Sequence, residues 1–384
     1  MKSSKTDKNF VREYRKMAQM EQTTLEIRNL NTSFFTQKGE VRAACDVSLE
    51  VRAGQITGIV GESGCGKSIT AKSVMGLVKY PGRVVSGEIL LEGRQIRTLS
   101  RKERCSLSGS EVSMIFQEPM TSLNPVMKVG KQVGEALLLH QKITKEEARK
   151  KTAEIFEQVG ISDAESRMDC YPHQLSGGLR QRVMIAMAMV CGPKLLIADE
   201  PTTALDVTVE AQILRLMKKL CEGGTSILLI SHNLGVIAQV CDYVYVMYAG
   251  RIVEQADTFT LFDHPVHPYT KGLLKAVSSL RSGAHVLDTI PGVVPNLLHL
   301  PEGCAFSPRC PRCMEECRTQ MPQMLPAGEE GHMARCFLCA KQESEQAQDS
   351  LKAATQSSEA PHGFQKASAQ ASEQTRDSRK EDSV

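Results

Sequence analysis

Tryptophan is absent from this 384-residue chain and aromatic residues make up only 4% of it. Any planar ring that it holds must therefore stack on one of its ten Phe or seven Tyr. Charge of one sign is lacking too. The 47 Lys and Arg against 44 Asp and Glu leave a net +3, which removes the electrostatic case for nucleic acid or anionic lipid as a partner. Long apolar runs are missing: "VMIAMAMVCG" comes nearest and is far too short to span a bilayer. The first twenty residues are charged and lack the apolar core of a signal peptide. Such a chain is expected in the cytoplasm, where cysteines stay reduced unless they bind metal or do chemistry. Any membrane role must then come through partner subunits. The length suggests two or three domains, and 41% hydrophobic with 24% charged residues is ordinary for a globular protein.

Cysteine is plentiful by contrast. Six of thirteen fall between 304 and 339, four of them within "GCAFSPRCPRCMEEC". The meaning of that cluster depends on what precedes it. Residues 1–20 are expected to be a flexible leader, with Met17 or Met20 as alternative starts. Over 21–255, short apolar runs alternate with glycine loops and helical periodicity. "QITGIV" (55–60), "KLLIA" (194–198) and "SILLI" (226–230) are near-continuously apolar, as strands buried on both faces of a parallel sheet must be. The alternation predicts a three-layer α/β fold. Helix formers dominate roughly 119–193, notably "TKEEARKKTAEIFEQVG", and predict a helical insertion. Residues 256–340 read as a separate extension. The 341–384 tail holds only Leu351, Phe364 and Val384 as sizeable apolar residues and is expected to be disordered.

"GESGCGKS" (61–68) follows a predicted strand and precedes a helical stretch, the context a phosphate-binding loop needs. Gly61, Gly64 and Gly66 let the backbone curl so that the N–H groups of Gly61, Glu62, Ser63, Gly64, Cys65, Gly66, Lys67, Ser68 and Ile69 can face phosphate oxygens. Lys67 would neutralise β/γ-phosphate charge and Ser68 would offer a hydroxyl to Mg²⁺. "LLIADEP" (195–201) sets Asp199 and Glu200 at a strand end. Asp199 would hold Mg²⁺, and Glu200 could polarise the water that attacks the γ-phosphate. "LSGGLRQR" (175–182) opens a helix with Ser176, Gly177 and Gly178, a second anion-binding terminus or a simple helix cap. One nucleotide cannot easily engage two such termini on one chain, so the second would serve a nucleotide held by another subunit.

With these motifs in order, plus Gln117 in "IFQEP" and His232 in "LLISHN", the chain resembles the ATP-binding cassette (ABC) ATPases. The resemblance implies a P-loop α/β core with a parallel sheet, a small antiparallel β-subdomain and a helical subdomain. It also implies a head-to-tail dimer with two ATPs sandwiched between phosphate loop and opposing "LSGG", and "ALD" (204–206) matches the family's interface loop. Gln117 would sense Mg²⁺ and couple to membrane helices, and His232 would contact the γ-phosphate. Phe34, ahead of Phe35 by register, would stack on adenine unless both pack within the small β-subdomain. The chain departs from the pattern at Leu179, where the signature usually carries Gln.

"QEPMTSLNP" (117–125), "HPYTKGLL" (267–274), "IPGVVPNL" (290–297) and "GCAFSPRC" (303–310) are similar to ATPase subunits of oligopeptide, dipeptide and nickel importers. That resemblance implies a heterodimer of ATPase chains on the cytoplasmic face of the membrane. Two permease subunits would dock on the 117–125 segment, and an extracytoplasmic binding protein would deliver the substrate. The rival expectations are a soluble ABC ATPase of translation or DNA repair, and one with a zinc-binding interaction module. For the cysteines, spacing alone selects two C-x₂-C pairs, Cys310 with Cys313 and Cys336 with Cys339, as a zinc site. The importer resemblance instead selects Cys304, Cys310, Cys317 and Cys336 for a [4Fe–4S] cluster, and it is preferred here.

Overall fold

The computed structural model describes residues 22–117, 122–203, 205–281 and 289–339. The expected leader (1–20) and tail (341–384) lie outside these residues. Among the described residues twelve strands run in chain order: β1 (Thr23–Thr36), β2 (Gly39–Arg52), β3 (Ile56–Val60), β4 (Gly82–Leu91), β5 (Arg94–Gln95), β6 (Val112–Ile115), β7 (Leu195–Asp199), β8 (Ser226–Ser231), β9 (Tyr243–Tyr248), β10 (Arg251–Asp257), β11 (Leu325–Pro326) and β12 (Met333–Ala334). They form a four-stranded sheet, β2-β1-β4-β5, and an eight-stranded one, β11-β12-β10-β9-β3-β8-β7-β6. The small sheet is antiparallel. In the large one β6, β7, β8, β3 and β9 are parallel.

The three strands expected from apolar runs appear within a residue or two of their expected bounds, and every residue of β3, β7 and β8 is buried. Helices pack on one face and the small sheet with the Lys67–Met75 helix on the other, which is why these strands do not alternate. The first helices are α1 (Lys67–Met75) and α2 (Arg101–Leu107), followed by α3 (Val129–His140), α4 (Lys145–Gln158), α5 (Ala164–Met168) and α6 (Gly177–Met189) between β6 and β7. A capping box starts α4: the Thr144 hydroxyl accepts the Glu147 N–H, and Glu147 accepts the Thr144 N–H at 2.7 Å. Phe156 of α4, Val133 of α3 and Ile185 of α6 are all fully buried in one core cluster that continues under the large sheet.

Between β7 and β8 lies α7 (Val207–Glu222), and beyond β8 come α8 (Leu234–Val240), α9 (Thr258–Asp263), α10 (Pro268–Arg281) and α11 (Glu315–Thr319). Proline opens α10 in its first turn, where its missing N–H costs nothing. The C-terminal segment is stitched to the sheet rather than appended to it. Short β12 pairs antiparallel with β10, Glu254 opposite Ala334 and Gln255 opposite Met333.

Candidate functional site

Four parallel strands deliver the predicted residues to one edge. In register, Val60 of β3 lies opposite Ser231 of β8, Asp199 of β7 opposite Ile230, and Ile115 of β6 opposite Ala198. The residues just past those ends are Gly61, His232, Glu200 and Gln117. Ligands of open α/β sheets bind outside the carboxyl ends of the strands, and here four chemically distinct segments emerge at that edge.

The loop at 61–68, the expected phosphate loop, curls as its glycines require. Gly61, Gly64 and Gly66 have φ of 158°, 78° and 109°. A Cβ at Gly61 would run into the Met247 carbonyl and one at Gly66 into the Ala43 carbonyl, so no other residue fits. The loop carbonyl of Cys65 accepts the Gly250 N–H at 2.8 Å, anchoring it to the β9–β10 turn. Lys67 is buried, and its ammonium donates to the carbonyls of Gly61 (2.8 Å) and Glu62 (3.0 Å). The Ser68 hydroxyl donates to Asp199 Oδ1 at 2.8 Å. Asp199 is 2% exposed. Burial, partly offset by the Ser68 hydrogen bond, raises its pKa above the usual carboxylate range. A buried carboxylate with a hydroxyl beside it is a hard oxygen donor set that suits Mg²⁺.

Glu200 stands at the centre of a second constellation. Its Oε2 accepts from Gln117 Nε2 at 2.9 Å and from the Thr203 hydroxyl at 3.0 Å, while His232 Nδ1 lies 3.2 Å from Oε1. Its backbone has φ 49°, left-handed for a non-glycine residue, and its N–H still reaches the Ile230 carbonyl at 2.9 Å. That sheet-like bond pins a strained residue at the strand end. The sequence reading brought together Gln117, Glu200 and His232 but missed Thr203. Its position three residues after Glu200, in a stretch where Thr hydroxyls often bond locally, was the available signal.

The "LSGG" residues lie apart. Ser176 caps α6, accepting the Leu179 N–H at 3.4 Å, and both Ser176 and Gly177 are exposed. Leu179 is half-buried against the main core, so an apolar residue suits the place where the family pattern has Gln. Phe34 is half-buried, its ring lying where a Cβ on Gly82 would go, whereas Phe35 is exposed with the Arg83 guanidinium 4.4 Å from its ring centroid. Two residues before Phe34, the Thr32 hydroxyl bonds that of Ser73 on α1 at 2.9 Å, so β1 runs beside the helix that follows the phosphate loop. Of the 117–125 segment, 118–121 lies outside the described residues, as does Ala204 of "ALD".

The cysteines separate into two groups. None of the thirteen is in a disulfide. Cys304, Cys310, Cys317 and Cys336 line one small cavity of about 20 Å³, together with His267 and Phe306. Burial first, then the neighbouring thiols, pushes Cys304 up to about 11; burial likewise pushes Cys336 to about 11. Cys313 turns to its own neighbour, its thiol donating to the Met314 carbonyl at 3.6 Å, and Cys339 sits in a small apolar cluster with Ala334 and Cys336. Of the zinc grouping expected from spacing, Cys310 and Cys336 line that cavity and Cys313 and Cys339 do not. Among the described residues no group of three or more His, Cys, Asp or Glu is placed to hold a single metal ion.

This geometry is that of an ATP-binding cassette, and the comparisons agree. The family model "ABC transporter" matches residues 44–203, and "Oligopeptide/dipeptide transporter, C-terminal region" matches 253–317. The chain is 49% identical over 326 residues to the oligopeptide transport ATP-binding protein AppD of Bacillus subtilis, covering 84% of this chain and 99% of that one. It is 51% identical over 314 residues to OppD of Salmonella typhimurium (82% and 93% covered). With the dipeptide transport ATP-binding protein DppD of Escherichia coli it shares 45% over 313 residues (81% and 95%). A solved dimeric bacterial ABC transporter cassette, MJ0796, aligns with a TM-score of 0.56 at 25% identity, over 61% of this chain and 98% of that one. The chain belongs to the ABC transporter family, among the ATP-binding proteins of oligopeptide and dipeptide transporters. Among the described residues no helix is long and apolar enough to cross a membrane.

Proposed function

We propose that this ATPase powers peptide uptake, with Glu200 as the general base of hydrolysis. The observation that carries the reading is the Glu200 carboxylate, held by Gln117, Thr203 and His232 at the strand edge that also presents Lys67 and Asp199. In this reading the N–H groups of 61–69 cradle the phosphates, and Lys67 leaves its loop carbonyls for the β/γ-oxygens. Ser68, Asp199 and Gln117 would hold Mg²⁺, which when bound would offset the negative charge of the transferring phosphoryl group. Glu200 takes a proton from the attacking water, and His232 contacts the γ-phosphate. Ser176, Gly177 and Gly178, exposed at the start of α6, serve the nucleotide of a second ATPase subunit, and Phe34 stacks on adenine. The partners are that second, non-identical ATPase chain and two membrane permeases, with a binding protein outside. The chain then acts as a translocase subunit, peripheral on the cytoplasmic face of the membrane. Residues 21–255 form the motor and 256–340 the importer-type extension.

Lys67→Ala tests the nucleotide site directly. Losing a buried ammonium that meets phosphate oxygens should weaken ATP binding roughly 10–100-fold, from about 1.5–3 kcal/mol per charged hydrogen bond. Unchanged affinity by equilibrium titration would remove the phosphate-loop assignment.

The four thiols around one cavity support an iron–sulfur cluster at Cys304, Cys310, Cys317 and Cys336. Burial, with a smaller push from neighbouring thiols, raises the pKa of Cys304, Cys310 and Cys336 and disfavours bare thiolates there, and cationic iron would reverse that penalty. A cluster also spaces its ligands more widely than a single ion does. A water-sized cavity means that the thiols must open outward to admit it. Protein purified without oxygen should carry about four iron atoms per chain with a broad visible absorption. Cys304→Ser should lose both and Cys313→Ser should keep them. Zinc in place of iron, or the reverse pattern, would sink the reading.

A further inference from the structure

The sequence reading gave Arg309, the neighbour of Cys310 in "SPRC", no role, yet it reaches the phosphate loop. It ends a short 3₁₀ turn (Ser307–Arg309), and its side chain is 4% exposed. The guanidinium grips Glu62, the second residue of the loop, in a bidentate pair: Nη1 to Oε2 at 2.7 Å and Nη2 to Oε1 at 3.1 Å. Its remaining donors are used too. Nε donates to the Pro291 carbonyl at 3.0 Å and Nη2 to the Ile290 carbonyl at 3.1 Å. The backbone of Glu62 is held by the same segment, because its N–H donates to the Tyr269 hydroxyl at 2.9 Å. Tyr269 is itself wedged between Tyr248 (4.6 Å between ring centroids) and Phe306 (5.5 Å). The carbonyl of this doubly held residue is one of the two on which the Lys67 ammonium rests.

We propose that Arg309, with Tyr269, is a positioning residue for the phosphate loop, so that the C-terminal segment sets the affinity for ATP. The inference rests on the reading of 61–68 as the nucleotide loop. The physical ground is preorganisation. A planar fork on a carboxylate fixes both ends of the pair, which a lysine in the same place could not do. A loop fixed before ATP arrives does not have to be ordered by ATP. The burial of Arg309 matters here, since exposed ion pairs contribute little. Arg309 also lies between the loop and the thiol cavity: Cys310 follows it in the chain, and Phe306, three residues earlier, lines that cavity. The loop and the extension are thereby one mechanical unit across 247 residues of sequence.

The test is equilibrium binding of a fluorescent ATP analogue to the full chain, with steady-state hydrolysis in the assembled transporter. Arg309→Gln should raise the Kd and the KM for ATP roughly tenfold, the cost of ordering about one backbone residue on binding. The kcat at saturating ATP should change less than twofold. Arg309→Lys should recover part of the affinity. Tyr269→Phe keeps the ring packing and removes only the acceptor, and should raise the Kd about threefold. A purely structural role predicts otherwise, since a partly unfolded sample loses apparent kcat at unchanged KM. Wild-type Kd in folded Arg309→Gln overturns the proposal. If that variant does not fold, wild-type Kd in Tyr269→Phe overturns it instead. Lys67→Ala runs alongside: if it binds ATP normally the loop reading falls and takes this proposal with it. If Lys67→Ala loses binding while the Arg309 and Tyr269 variants do not, the proposal falls alone.

Discussion

Glu200→Gln should bind ATP as tightly as the wild type and hydrolyse it about 10²–10⁴-fold more slowly, the usual contribution of a positioned base. The amide is nearly isosteric with the carboxylate. Its oxygen can still accept from Gln117 Nε2 or the Thr203 hydroxyl, now 2.9 and 3.0 Å from Oε2. The left-handed backbone at φ 49° is held by the Ile230 carbonyl and not by the side chain. Geometry therefore survives and only the proton acceptor is lost. The expected species is an ATP-bound dimer that persists. Phosphate release has to be followed with the partner subunit's catalytic site disabled as well, because an intact second site would mask the loss. Turnover near the wild-type rate under those conditions would move the base to another residue. The neighbouring contacts refine the expectation. Thr203→Ala removes one of three groups that orient the carboxylate, so its effect on kcat should be smaller than that of Glu200→Gln.

What could be read in advance follows from how local the constraint is. The strands of the large sheet were legible because β3, β7 and β8 are buried on both faces, which forces unbroken apolar runs. The curled loop at 61–68 was legible because close backbone approach leaves no choice but glycine at Gly61 and Gly66. The edge where the motifs meet needed only the parallel order of strands to be inferred. Contacts made across the chain left no such mark. Arg309 and Glu62 are 247 residues apart, and an arginine among cysteines has no periodicity to betray it. The choice among six cysteines shows the same limit. Spacing favoured the two C-x₂-C pairs, but the Cys313 thiol bonds the Met314 carbonyl, and Cys304, Cys310, Cys317 and Cys336, without Cys339, line one cavity. Leu179 departs from the signature pattern, and its side chain packs against the core, a long-range contact the sequence did not mark.

The other large effect expected lies at Glu254, which no motif touches. It is fully buried in β10. Its carboxylate accepts the Val266 N–H at 2.6 Å and the His267 N–H at 3.0 Å, and His332 Nε2 lies 2.8 Å away. One side chain thus joins the sheet, the start of α10 and the turn before β12. Burial pushes the His267 imidazole down to about 4, against the opposing pull of Glu254. The ring stays neutral, and its Nδ1 can accept the Tyr269 N–H at 3.1 Å. That hydrogen bond helps set the helix turn carrying Tyr269. Glu254→Ala would strand two backbone donors and an imidazole out of reach of water. Each unsatisfied buried donor costs about 1–3 kcal/mol, and breaking a buried pair by removing one partner about 3–5 kcal/mol. The expected loss in chemical denaturation is about 3–5 kcal/mol, with the C-terminal segment the first region opened to protease. Glu254→Gln, which keeps an acceptor, should lose less. A loss below about 1 kcal/mol for Glu254→Ala, or cleavage starting elsewhere, would mean that β12 pairing and the aromatic wedge hold the segment without it.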